Sequence, residues 1–137
     1  MIATTKFGVV ILAALAVAGC ATQGEVPPEA LGCDDVLAPS AVLALGSECD
    51  GRQVVVRGWL RVGSEMRGLW DSRKDIRNSN YRHACVTVYN PHGVAMDGPI
   101  RWVNVSGTFH AERPSGLFIL GDCTNAILEI GAIEASD

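Results

Sequence analysis

Two stretches of alternating apolar and polar residues constrain the fold more than any other feature of the chain. In residues 54–62 and 103–109, a valine, leucine, phenylalanine or glycine occupies every second position, which is the period of a half-buried β-strand. Each stretch has a glycine on its apolar side, Gly58 in the first and Gly107 in the second. A position without a side chain permits a bend or the close approach of another backbone. We therefore expect two long, strongly curved strands.

Shorter apolar segments extend this prediction to a mainly β domain. We expect weaker strands at residues 68–71, 84–89, 117–120 and 126–133. One helix is expected at residues 39–45, because Pro39 suits a first helical turn and Gly46 suits a helix end. The predicted fold is a small curved sheet or partly open barrel of five or six strands, with one short N-terminal helix.

The first 20 residues have the pattern of an export signal. Lys6 precedes an apolar run over residues 9–17, and the sequence Val17-Ala18-Gly19-Cys20 resembles the lipobox of bacterial lipoproteins. A transmembrane helix is the alternative, but an apolar stretch of about 12 residues is too short to span a bilayer of roughly 30 Å. We expect residues 1–19 to be a signal peptide. The resemblance implies that Cys20 is lipidated, and two or three acyl chains would make a permanent anchor.

The remainder of the chain is the size of one domain. Residues 20–137 number 118, which is enough for a single core but not for two. Residues 20–32 are rich in proline, glycine and glutamate and are expected to be a flexible tether, which leaves 33–137 as the domain. Ala21 and Thr22 follow Cys20. In lipoproteins of two-membrane bacteria, the absence of an aspartate just after the lipidated cysteine resembles the signal for the outer membrane. We therefore expect a lipid-anchored protein of the cell envelope, on the outer membrane and facing the periplasm.

Four further cysteines suit an exported chain. An even number in an oxidising compartment is most simply two disulfides, for which three pairings are possible. We expect Cys33–Cys49, because these two cysteines bracket the helical-looking segment 35–45. Cys85 and Cys123 lie in two separate strand-like stretches and are expected to form the second bond.

Neither a metal site nor a catalytic site is expected. The candidate co-ligands of the cysteines are His83, His92 and His110, but no Cys-x-x-Cys or His-x-x-x-His spacing is present. No nucleophile elbow, Ser-x-x-Lys, His-Glu-x-x-His or phosphate-binding glycine loop occurs either. The candidates for a catalytic carboxylate pair are Glu65, Asp71 and Asp75. These residues are interleaved with arginines, and we expect them to form surface ion pairs instead. The sequence therefore predicts no enzyme, no cofactor and no metal.

Charge is distributed unevenly along the chain. Residues 52–82 contain eight basic and three acidic residues. The full chain, in contrast, has a formal net charge of −4, and removal of the signal peptide with Lys6 would make it more negative by one. A basic surface could attract an anionic partner such as lipid headgroups, lipopolysaccharide phosphates or an acidic protein. We favour the simpler interpretation that these arginines keep the surface soluble and mask sheet edges.

The order of these segments resembles a group of small, uncharacterised bacterial proteins with an OB-fold-like domain. The similarity covers residues 36–133 and lies in a short helix at 42–45, the strand D-G-R-Q-V-V-V-R-G-W-L at 50–60, L-W-D-S-R-K-D at 69–75 and V-N-V-S-G-T-F at 103–109. The resemblance implies OB-like architecture and no particular activity. The cysteines depart from the pattern of the group, as does the segment 120–125, where the relatives tend to be more polar.

Two functions remain open. The first is a non-catalytic binding module that holds an envelope protein, peptide or glycan on a face formed by Arg57, Trp59, Arg61, Trp70 and Arg73. The alternative is a structural or accessory lipoprotein without a specific ligand. Nucleic-acid binding is not expected, although basic and aromatic residues occur together, because a lipid-tethered protein outside the cytoplasm rarely meets nucleic acid. A solvent-facing aromatic–arginine patch favours the binding module, and tryptophans buried beneath residues 72–80 favour the alternative.

Overall fold

One mixed β-sheet makes up most of the computed structural model, which describes residues 30–63, 66–78, 84–119 and 121–136. The six strands within these ranges are β1 (Val36–Leu37), β2 (Gln53–Val62), β3 (Arg67–Trp70), β4 (Cys85–Tyr89), β5 (Arg101–His110) and β6 (Ile127–Ala135). Helix α1 (Pro39–Leu45) continues into a 3-10 turn (Gly46–Cys49), and a second short helix, α2 (Arg73–Arg77), lies between β3 and β4.

The strand pairing is partly ring-like. The order is β1-β2-β3-β4-β6-β5, and β2 also pairs with β5, so that β2 to β6 close into a ring. The bonding is uneven, since β2 pairs with β5 through eight residues but with β3 through four, and the result is not a clean barrel. The predicted fold class, a mainly β, curved, five- to six-stranded sheet with a short N-terminal helix, is confirmed.

The main core lies on the concave side of the sheet. Alternation along β2 and β5 sends every second side chain inward, as the sequence pattern predicted. The fully buried side chains of this core include Leu37, Val42, Val56, Leu69, Val86, Val105, Phe109, Leu128 and Ile130. Each contributes roughly 1.5–3 kcal/mol through removal of its apolar surface from water.

The two mid-strand glycines lie where another backbone comes close. A Cβ on Gly58 would be 2.6 Å from the carbonyl oxygen of Trp70. A Cβ on Gly107 would overlap the carbonyl oxygen of Glu129, beside the register shift between Ser106 and Gly107 in the β5–β6 pair. The close approach expected at both glycines is thus present, and the second one coincides with an irregularity that bends the strand.

Helix α1 was predicted from the sequence, whereas helix α2 was not. Helix α1 has the predicted bounds, with Pro39 in its first turn. Helix α2 was not predicted, although its signal is present as a capping box. Ser72 Oγ accepts a hydrogen bond from the Asp75 backbone N–H (3.2 Å), and it donates one to Asp75 Oδ2 (2.7 Å).

One strand prediction is wrong. Residues 117–119 form no strand, and Leu120 lies outside the described residues. The strand that pairs with β4 and β5 is β6, which corresponds to the further strand expected at residues 126–133. The chain between β5 and β6 instead crosses to β3, where the Arg67 N–H donates to the Gly121 carbonyl (2.8 Å).

Two disulfides, Cys33–Cys49 and Cys85–Cys123, join residues with Cα–Cα distances of 5.6 and 6.2 Å. This is the pairing expected from the sequence. The predicted signal peptide at 1–19, Cys20 and most of the tether lie outside the described residues. No helix within the described ranges is long and apolar enough to cross a membrane.

Candidate functional site

A second apolar cluster covers part of the convex side of the sheet. Its buried members are Trp70, Ile76 and Cys85, and Trp59 packs at its margin. Trp59, Trp70 and Cys85 are direct neighbours across β2, β3 and β4. The cluster forms because α2 follows β3 immediately and directs Ile76 onto the sheet.

Burial of Trp70 corrects one residue of the predicted binding face. Its side chain has 0% exposure, so it cannot contact a ligand in this conformation. The indole ring folds back over Gly68, where an added Cβ would be 2.8 Å from two ring carbons and 2.5 Å from Cys85 Sγ. Trp70 is therefore an interior residue that holds α2 and the second disulfide against the sheet.

A partly exposed aromatic pair is formed by Trp59 and Trp102. These residues are opposite each other in the β2–β5 register, and their ring centroids are 5.4 Å apart at an interplanar angle of 56°. Both are half-buried, and together with Asp71 and Ser136 they line an open depression of about 460 Å³. We call this depression the tryptophan cleft.

Trp102 was absent from the predicted face. The sequence pattern placed it on the polar side of its strand, but which residue it faces depends on the pairing of β5 with β2. That pairing joins segments more than 40 residues apart, and no local signal gives its register. The structure thus replaces Trp70 with Trp102 as the second aromatic residue of the site.

Arg73 extends from α2 over the Trp59 ring. Its guanidinium carbon is 5.2 Å from the centroid of the Trp59 ring, within the range of a cation–π contact. Arg73 is the first residue of α2 and is exposed. The helix that buries Trp70 therefore also positions a cation on the neighbouring tryptophan.

Two more arginines extend from the same face of β2. Arg57 and Arg61 alternate with Trp59 and are both exposed. Arg57 Nε donates to Asn104 Oδ1 at 2.8 Å. Within the described ranges, neither Arg61 nor Arg73 has a carboxylate oxygen within 4.0 Å. Four residues of the predicted face therefore lie on one side of the sheet, namely Arg57, Trp59, Arg61 and Arg73. The guanidinium groups of Arg61 and Arg73 can donate hydrogen bonds to a ligand.

Two of the three carboxylates expected to form ion pairs cap helices. Asp71 Oδ1 accepts a hydrogen bond from the Ser40 N–H at 2.8 Å, in the first turn of α1, whose own N-cap residue supplies no side-chain bond. A negative charge there also complements the helix dipole. Asp75 belongs to the capping box of α2, and Glu65 lies outside the described residues.

The β5–β6 loop lies across β3 and β4. Thr87 Oγ1 accepts from the N–H groups of Cys123 and Thr124 at 2.9 Å each, and the Cys85–Cys123 disulfide fixes the same crossing. The tryptophan cleft lies instead on the β2–β5 face.

The histidines do not join the cysteines. His92 Nε2 and His110 Nε2 are 3.7 and 3.3 Å from the two carboxylate oxygens of Glu129. The four cysteines within the described ranges are in disulfides. His83 lies outside the described residues. In the part of the chain that the structure describes, no group of three or more histidine, cysteine or acidic residues is placed to hold a metal ion.

Comparison with known proteins found no matching family model, no matching curated protein and no matching solved structure. The resemblance to small OB-like bacterial proteins therefore stays a prediction, and the function has to be argued from the site.

Proposed function

We propose that this protein is a lipid-anchored binding module of the cell envelope, and that its ligand site is the tryptophan cleft with Arg57, Arg61 and Arg73. The observation that carries the proposal is the pair of partly exposed indoles, Trp59 and Trp102, which lines an open depression and has a cation over one of its rings. Large aromatic side chains and a few convergent polar groups are the usual composition of ligand sites.

The proposed location follows from the N-terminal pattern. A lipid on Cys20 would attach the chain to the membrane, most simply the outer membrane on its periplasmic side. The two disulfides support export, because such bonds persist in oxidising compartments. A protein, peptide or glycan of the envelope is the proposed partner, and nucleic acid is not.

We propose binding without catalysis at this cleft. The four residues that line it include no histidine, cysteine or lysine. The single carboxylate among them, Asp71, already accepts the Ser40 N–H of α1. A group engaged in this way positions a helix and is poorly suited to take up and release a proton.

A ligand-free structural or accessory lipoprotein is the second candidate function. The full burial of Trp70 beneath α2 favours it, because that part of the aromatic–arginine segment serves packing. The two candidates differ in what they require of Trp59 and Trp102. Binding requires the exposed ring surfaces of these residues, and the accessory function does not.

An affinity pull-down separates the two candidates. The full chain is immobilised with its disulfides intact and exposed to detergent-solubilised envelope, beside a Trp59→Leu/Trp102→Leu variant. Phe118→Ser is the matched control, since Phe118 is 82% exposed on the β5–β6 loop and is not part of the cleft. A partner retained by the native protein and the control but lost by the double variant supports the binding module. Equal recovery of a partner by all three proteins would contradict the tryptophan cleft as the binding site, and no enriched partner supports the accessory function.

A further inference from the structure

We propose that the tryptophan cleft binds an acidic carbohydrate, with sugar rings packed on Trp59 and Trp102 and a carboxylate or phosphate group held by Arg61 and Arg73. This inference rests on the proposed binding function and adds the chemical class of the ligand. It is argued from the ring surfaces, the charges and the strand pairing around the cleft.

The aromatic surfaces suit a ring with an apolar face. An indole carries negative charge on its face, and the C–H bonds of a sugar ring present a flat, weakly positive surface to it. The 56° angle between Trp59 and Trp102 makes a V-shaped wall and not a flat platform. The depression of about 460 Å³ is within the range of roughly 300–1,000 Å³ that is common for small-ligand sites.

The polar groups of the cleft suit hydroxyls. Asp71 Oδ1 is engaged by α1, but a carboxylate oxygen can accept more than one hydrogen bond. Ser136 adds a hydroxyl that can donate or accept. Two such groups at the rim of an aromatic wall match the alternating apolar faces and hydroxyl edges of a sugar ring.

The cations around the cleft call for a negative charge on that sugar. Arg61 and Arg73 have no carboxylate partner within the described ranges, and Arg57 uses only its Nε on Asn104. A guanidinium group binds carboxylate or phosphate through two parallel hydrogen bonds. The formal net charge of the whole chain is −4, so this basic face runs against the charge of the molecule.

The strand pairing disfavours an extended acidic peptide as the ligand. Peptides that add to a sheet need a strand edge with free N–H and C=O groups. At the cleft, β2 is paired with β5 on one side and with β3 on the other, while β5 lies between β2 and β6. The main chain beneath the cleft is therefore already bonded, and recognition has to use side chains.

The test is titration of the full chain, purified in mild detergent, with defined probes followed by tryptophan fluorescence and calorimetry. Oligogalacturonate supplies carboxylates, and a phosphorylated mannose oligosaccharide supplies phosphates. Maltohexaose is the neutral sugar. Poly-glutamate is an acidic polymer without sugar rings, and single-stranded oligo-thymidine is an acidic polymer with furanose in place of pyranose rings. We expect at least one acidic saccharide to bind, with an affinity that falls as salt rises, and to bind about tenfold or more tightly than the other three probes.

Variants assign that binding to the cleft. Arg73→Gln and Trp102→Leu are each expected to weaken binding of the acidic saccharide about tenfold. Arg52→Gln is the matched charge control, because Arg52 is exposed, pairs with Asp34 and precedes β2 by one residue at the opposite end from Trp59. Thermal unfolding of each variant shows whether the fold is retained, and Arg73→Lys, which keeps the charge but not the planar fork, is expected to restore binding only in part.

Three results would overturn the inference. The first is that maltohexaose binds as tightly as the acidic saccharides. The second is that poly-glutamate or oligo-thymidine binds as tightly as they do or more tightly. The third is that neither acidic saccharide binds. If none of the saccharides binds while the pull-down still finds a partner lost with Trp59 and Trp102, the binding module stands and only its ligand class is wrong. Preference between the two acidic saccharides identifies carboxylate or phosphate as the recognised group.

Discussion

Trp59 and Trp70 are neighbours on the same face of the sheet, yet they have different surroundings. Trp70 is enclosed by Ile76, Cys85 and its own strand, whereas Trp59 keeps part of its ring toward the cleft. A buried tryptophan stabilises the fold through packing, and an exposed one is available to a ligand. The two residues should therefore respond differently to truncation.

Replacement of Trp70 by alanine is expected to lower the free energy of unfolding by about 3–5 kcal/mol, because it leaves a cavity beneath α2. Trp102→Ala is the comparison, and its smaller effect is expected because Trp102 is only half-buried. Urea unfolding monitored by far-UV circular dichroism measures both. Equal losses would contradict the assignment of Trp70 to the interior and Trp102 to the surface.

Gly68 provides a second test at this scale. An alanine there would place its Cβ against Cys85 Sγ and the Trp70 ring, so we expect a loss of about 1–3 kcal/mol from overpacking. Gly63→Ala is the control, since the nearest atom to its added Cβ is 4.0 Å away. Chemical unfolding of the two variants should separate them, and a Gly68→Ala protein as stable as the control would show that the ring is free to move.

At the scale of elements, the sequence predicts what is local and misses what depends on pairing. The alternation in β2 and β5 follows from side chains on the same strand, so both strands were predicted within a residue or two. Residues 117–120 are apolar enough for a strand, but a strand also needs a pairing partner distant in sequence, and residues 117–119 form no strand. Trp102 was overlooked for the same reason, since its contact with Trp59 arises from the β2–β5 register.

The disulfides also act on elements. Cys33–Cys49 ties the segment before β1 to the end of the 3-10 turn, while Cys85–Cys123 fastens the β5–β6 loop to β4. Their sequence separations of 16 and 38 residues imply losses of about 3 and about 4 kcal/mol when each pair is replaced by alanine, from the added entropy of the unfolded chain.

Denaturant unfolding of the two double variants tests this order, with the oxidised native protein as reference. The larger loss is expected for Cys85→Ala/Cys123→Ala, which also removes one wall of the Trp70 cluster. A larger loss for the other pair would mean that the N-terminal segment contributes more to the fold than its two-residue strand suggests.

At the scale of the whole molecule, the N-terminal signal makes a prediction that the fold does not. If Cys20 is lipidated, Cys20→Ser should abolish incorporation of an alkyne-bearing palmitate analogue in a bacterial host and move the protein out of the detergent phase. Thr22→Ser is the matched control, because it changes a neighbouring residue and keeps the cysteine. Labelling that survives in Cys20→Ser would rule out this residue as the lipid attachment site.

The place where the chain enters the domain has a mechanical consequence. Cys33 lies just before β1, and its disulfide bypasses the whole of α1. A pulling force on the N-terminal segment would therefore pass directly to Cys49 and on to the start of β2, without unwinding the helix. The two cysteines have a sequence separation of 16, and under tension the chain between them adds no length to the extended chain, so the domain would resist traction along its N-terminal segment as a short, stiff link.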